Sequence, residues 1–136
     1  MSIKYTVETI QYRTVFENLT AAKVKDCFLN EKLIVIVKEG ELGKVIGKHG
    51  KNIKRLEEIF KRKIRIIEFN SDLINFIRNL IYPIKARNIS LENNCVIIAV
   101  DSIADKGRLI GRDSKNLNII KDLVNKYFKV NDIKIV

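Results

Sequence analysis

The sequence predicts an α+β fold built from two tandem copies of one small unit, and three observations predict it. The motif Val45-Ile46-Gly47-Lys48-His49-Gly50-Lys51-Asn52-Ile53 returns as Leu109-Ile110-Gly111-Arg112-Asp113-Ser114-Lys115-Asn116-Leu117, with Gly47 and Gly111 64 residues apart. Around each copy the apolar residues follow one order: helical stripe, two strand-like runs, short helix, glycine motif, helical stripe, closing strand. No low-complexity or flexible tract parts the halves, so residues 1–69 and 70–136 are expected to form two small domains.

Each element has a local reason. Thr6 can cap a helix in which Val7, Ile10, Val15, Phe16 and Leu19 recur at roughly helical spacing. Thr20–Leu29 turns strand-like, and Leu33–Val37 is an unbroken β-branched and apolar run of the kind found in buried strands. Gly40 marks a turn, and Leu42–Ile46 has room for one or two helical turns. After the first glycine motif, Ile53, Leu56, Ile59 and Phe60 form a helical stripe that ends near Lys61-Arg62-Lys63, and Ile64–Phe69 is again strand-like. Asn70-Ser71-Asp72 offers capping side chains for a helix over Leu73–Ile81, and Pro83 disfavours helical geometry at Tyr82. In the second half, Ile84–Leu91 and Cys95–Val100 read as strands around an Asn93-Asn94 turn. A short helix then reaches Ile110, a longer one carries Leu117, Ile120, Leu123, Val124 and Tyr127, and Ile133–Val136 closes the unit.

A hydrophobic content of 46% with 31% charged residues is that of a globular chain and excludes the disordered class. The formal net charge is +10, and the window Lys44–Arg65 holds nine Lys or Arg against two Glu. Basic charge gathered at a loop favours a nucleic-acid partner over a general anionic one. Cys27 and Cys95 lie in apolar, strand-like surroundings and are expected as buried free thiols. Met1–Gln11 lacks the apolar core of a signal peptide, and no run approaches the length of a membrane span, so a cytoplasmic location without membrane contact is expected.

The first glycine motif carries the chemistry. Glycine lets backbone pass close to a ligand, and the helix start that follows presents free N–H groups and a positive pole to an anion. Lys48, His49, Lys51 and Lys54 can reach phosphates, with Lys44 and Arg55 in the same basic window, while Ile46 and Ile53 can floor a base-binding surface. The equivalent candidates in the second motif are Arg108, Gly111, Arg112 and Lys115. A plain helix–turn–helix connection also needs a glycine, but the second copy with the same Gly, basic residue and Lys-Asn pair favours a binding loop. Other phosphate loops fail on spacing: Leu42 stands where a P-loop needs its first glycine, His49 stands where it needs Ser or Thr, and no G-x-G-x-x-G exists. His49 is the sole histidine and no cluster has metal-ligand spacing, so neither catalysis, a metal nor a cofactor is expected. Glu57 and Glu58 read as solvated. Phe60, Phe69, Tyr82, Tyr127 and Phe128 sit at core-like positions, so stacking of bases on aromatics is not expected.

A G-x-x-G between two short helices, preceded by an apolar strand, resembles the KH RNA-binding module. The order helix–strand–strand–helix–loop–helix–strand is similar to its type II form. Two such modules covering the whole chain, with Val45–Leu56 as the more specific match, resemble the archaeal NusA-like transcription factors. This implies two three-stranded mixed sheets packed against helices, and single-stranded RNA held in extended form along both modules in transcription termination or antitermination. It places the backbone grip on Gly47, Lys48, His49 and Gly50, and on Gly111 and Arg112. It also implies a monomer that meets RNA polymerase or other transcription proteins. The polymerase-binding N-terminal domain and S1 domain of bacterial NusA have no room in 136 residues, so docking of the bacterial kind is not expected.

The second motif departs from the pattern at Asp113 and Ser114. Both are good helix-capping residues, which makes a capping turn the plainer reading of that loop. The first module is then expected to supply most of the backbone affinity. Three other readings stay open: a ribosome-associated or RNA-processing KH protein, a protein-interaction adaptor with one degenerate loop, and a DNA binder.

Overall fold

The computed structural model describes residues 7–47 and 51–136. The chain divides between Ser71 and Asp72 into two compact units.

The first unit runs α1 (Val7–Thr20), β1 (Val24–Leu29), β2 (Leu33–Val37), α2 (Leu42–Ile46), α3 (Lys51–Phe60) and β3 (Ile64–Glu68). β2 is central, antiparallel to β1 (Leu29 opposite Leu33) and parallel to β3 (Leu33 opposite Ile64). All five β2 residues are buried, as an unbroken apolar run requires. Phe16 of α1, Val45 of α2, and Leu56 and Phe60 of α3 pack with Leu33, Val35 and Val37 in one core.

The second unit repeats the order: α4 (Leu73–Ile81), β4 (Asn88–Glu92), β5 (Cys95–Ala99), α5 (Ile103–Ile110), α6 (Lys115–Tyr127) and β6 (Asp132–Ile135). β5 is antiparallel to β4 and parallel to β6. Asn93 and Asn94, both at positive φ (51° and 59°), form the tight turn that matches the twist of a hairpin. Asp72 caps α4 by accepting the Asn75 N–H at 3.0 Å, and Phe76 of that helix meets the Tyr127 ring edge-on at 5.8 Å. Among the described residues no helix is long and apolar enough to cross a membrane.

Several expectations need correction. Of its predicted apolar stripe the helix α1 buries Phe16 but not Ile10, which is 62% exposed, nor Val15 and Leu19, which are also exposed, and Thr9 and Thr20 are buried beside Phe16 instead. Thr9, Phe16 and Thr20 fall on one helical face, and Thr20 is satisfied there, because its hydroxyl donates to the Phe16 carbonyl and accepts the Ala22 N–H. For the same reason β1 begins only at Val24, since α1 continues through Thr20. The strand predicted from Ile84 begins at Asn88. Tyr82, expected in the core, is 73% exposed, and Cys95 is half-buried where burial was expected. The carboxylate of Glu57 is not merely solvated, because it accepts the Ile64 N–H at 3.0 Å and ties α3 to β3. The predicted capping residue Thr6 lies outside the described residues.

Candidate functional site

Each glycine motif is held by the same clasp. In the first unit α2 ends at Gly47 (φ 63°), whose N–H donates back to the Gly43 carbonyl at 3.4 Å. Asn52, in the first turn of α3, reaches back and donates its side-chain amide to the Lys44 carbonyl at 3.3 Å. In the second unit α5 ends at Gly111 (φ 73°), whose N–H donates to the Gly107 carbonyl at 2.8 Å. There Asn116 donates to the Arg108 carbonyl at 3.4 Å and to the Leu109 carbonyl at 2.8 Å. The carbonyls left unpaired at the end of each short helix thus find a partner across the loop.

Both clasps require glycine twice over. The positive φ is one reason. The other is space: a Cβ on Gly47 would stand 2.6 Å from the Asn52 amide nitrogen, and one on Gly111 would stand 2.9 Å from Asn116 Cβ and its backbone nitrogen. Asn52 and Asn116 were visible in the sequence only as half of the repeated Lys-Asn pair, with no role attached.

An acid–base pair recurs in the same register. Lys44 is paired with Glu41 at 2.9 Å, and Arg108 with Asp105 at 3.2 Å, each three residues apart at the start of a short helix. Glu41 is buried and also accepts the Lys23 N–H at 3.3 Å. The Lys44 ammonium, aided by that backbone bond, holds its carboxyl below the usual range. The candidates Lys44 and Arg108 are therefore already engaged with carboxylates.

The remaining candidates divide as follows. Lys48, His49 and Gly50 lie outside the described residues, as does the side chain of Lys51, which opens α3. Lys54 and Arg55 are exposed on α3. Ile46 is 38% exposed beside Gly47, whereas Ile53 packs half-buried against the core and has less surface to offer a base. Arg112 and Lys115 are exposed at the second loop.

That second loop has its own geometry. Arg112–Ser114 form a single 3-10 turn in which Asp113 (φ 55°, ψ 32°) and Ser114 (φ 61°, ψ 19°) are both left-handed. The Ser114 N–H donates to the Gly111 carbonyl at 3.3 Å, and the Lys115 N–H to the Arg112 carbonyl. Two donors that would face an anion are thus turned inward. The capping expectation also fails, because Ser114 makes no side-chain cap to α6: its left-handed backbone is not the extended one a cap residue needs.

A family profile described as "KH domain" matches residues 10–85, from α1 through α4. The chain is 34% identical to a protein of Methanococcus vannielii named "Probable transcription termination protein NusA", covering 100% of this chain and 81% of that one. A protein of the same name from Thermoplasma acidophilum is 31% identical, covering 94% and 92%. A solved structure described as "Crystal structure of APE1850" superposes with a TM-score of 0.72 at 33% identity, over 97% of this chain and 100% of that one. With the repeated α–β–β–α–α–β order and the glycine clasps, these likenesses establish that the chain belongs to the archaeal NusA-like family of KH-domain proteins.

Proposed function

We propose that the protein binds single-stranded RNA without catalysis, through two type II KH modules, and acts in transcription termination or antitermination. The observation that carries this reading is the pair of glycine loops, each clasped by an asparagine in the same register at the start of a helix. Such a loop is the part of a KH module that clamps backbone nucleotides. The element order of each unit and its mixed sheet, antiparallel on one side and parallel on the other, support the type II assignment over residues 1–69 and 70–136. The name shared by the relatives supports the transcription role and, with it, RNA polymerase or other transcription proteins as partners of a cytoplasmic monomer.

In this reading Gly47, Lys48, His49, Gly50 and Lys51 grip phosphates, with Lys54 and Arg55 beside them and Ile46 and Ile53 flooring the bases. Lys44 and Arg108 contribute only as far as their acid partners release them. In the second module Gly111, Arg112 and Lys115 play the lesser part, because two loop donors are used internally. Replacing Lys48 and His49 with Asp is expected to cost most of the affinity for single-stranded RNA, and Arg112→Asp much less. Equal losses in an equilibrium titration would sink this asymmetry.

The inward-turned donors of the second loop also favour a second reading, a protein-interaction adaptor. Retention of protein partners after nuclease treatment in a pulldown would favour it.

A further inference from the structure

Away from its glycine loop, the first unit carries another concentration of charge. The C-terminal half of α3 and the turn after it line a groove of about 460 Å³ walled by Lys54, Glu57, Glu58, Lys61, Arg62 and Lys63. Residues 54, 57 and 58 follow helical spacing on one face of α3, with Lys61 just past its end, while Ile53, Leu56 and Phe60 turn toward the core. The wall is anchored: Glu57 holds the Ile64 N–H, its carbonyl takes the Arg62 N–H at 3.3 Å, and Arg62 Nε donates to the Tyr12 hydroxyl at 3.2 Å. Lys61 sits at φ 55°, where the chain leaves α3, and it is followed directly by Arg62 and Lys63. Among the described residues the side chains of Lys54, Lys61 and Lys63 have no ion-pair or hydrogen-bond partner.

The repeat provides an internal control. In the same register the second unit has Asn118, Lys121, Asp122, Asn125, Lys126 and Tyr127. Lys121 is neutralised there by Asp132 at 3.0 Å. Had the fold needed a basic cluster at this helix end, the copy would need it too. Lys54, Lys61 and Lys63 have Asn118, Asn125 and Tyr127 in that register, so the fold itself does not call for these three lysines.

We propose that this groove is a second phosphate-binding surface, which takes the sugar–phosphate backbone of an RNA strand beyond the segment held at the Gly47 loop. The inference rests on the RNA-binding reading above. Lys61 lies ten residues beyond the start of α3, about 15 Å along the axis, so a strand leaving the loop can follow the helix to reach it. Lysine ammoniums are mobile point charges that hold phosphates without selecting bases. The groove thus adds affinity and path length, not sequence preference.

The test is equilibrium binding of the full chain to two single-stranded RNAs, one of about four nucleotides, the length one KH loop clamps, and one about twice as long. Lys61→Glu with Lys63→Glu is expected to weaken the longer strand several-fold and leave the shorter unchanged. It should also reduce the salt slope on the longer strand by about 0.7 for each phosphate the groove no longer holds. Lys61→Ala with Lys63→Ala should act in the same direction more weakly. The exposed pair Lys129→Glu with Lys134→Glu, matched in charge, should change neither strand. An unchanged longer strand, equal losses on both lengths, or an equal loss from the matched pair would overturn the proposal. Failure of the unaltered protein to bind either RNA would instead overturn the RNA-binding reading, and the groove proposal with it.

Discussion

Asn52 and Asn116 do at residue scale what the repeat first suggested the glycines did alone. Removing either amide leaves helix-end carbonyls without their partner, at a cost of about 1 kcal/mol for a part-exposed bond. Asn116→Ala should cost more than Asn52→Ala, because Asn116 makes two bonds, one at 2.8 Å, against one at 3.3 Å. Paired thermal melts check the order. Gly47→Ala should be worse than either, since a left-handed alanine costs about 1–2 kcal/mol before its Cβ meets the Asn52 amide at 2.6 Å. The two cysteines should also separate. Burial pushes the Cys27 thiol up to about 12, with the Arg13 charge opposing only in part. A disulfide reagent at mildly basic pH should label half-buried Cys95 in the native protein and reach Cys27 only on unfolding.

Among the elements, the second loop and the short helix α2 behave in measurable ways. Ser114 is a non-glycine residue held left-handed, so Ser114→Gly should relieve strain and raise stability by up to about 1 kcal/mol, the gain being limited by glycine's greater unfolded freedom. Glu41 ties the start of α2 to Lys44 and to the Lys23 backbone, and its carboxyl is held below its ordinary 4.5. A depressed carboxyl stabilises the fold above its unfolded value, and that contribution is lost as pH falls through the folded one. Melting temperature should therefore drop in acid below about 4.5, and Glu41→Gln should flatten that drop. Much of this scale was legible beforehand. Leu33–Val37 as a buried strand and a cap for α4 from within Asn70-Ser71-Asp72 follow from local chemistry and occur as read, Asp72 being the one that caps. The phase of α1 was legible only at Phe16, because Thr9 and Thr20 complete its buried line and hydroxyl side chains do not register as apolar. Nor was the Ser114 backbone, because residue type alone cannot separate a cap from a left-handed turn. The candidate site was legible as a basic loop, but not as a clasp, since the Asn partners lie eight residues away along the chain.

For the whole molecule, a net charge of +10 and two unequal loops set how binding should respond to conditions. Affinity for single-stranded RNA should fall log-linearly with salt, at about 0.7 per phosphate engaged, and Lys48→Asp with His49→Asp should flatten that line more than Arg112→Asp. Titrations at several ionic strengths give both slopes. The asymmetry also shows how one architecture can hold two different tips. In both units the lock of Gly47 with Asn52, or Gly111 with Asn116, brackets four residues of the sequence. The first three are Lys48, His49 and Gly50 in one copy and Arg112, Asp113 and Ser114 in the other, different at every position, and the fourth is lysine in both. The lock makes the tripeptide an exchangeable insert: a duplicated module is free to change what its tip touches while the frame around it stays the same.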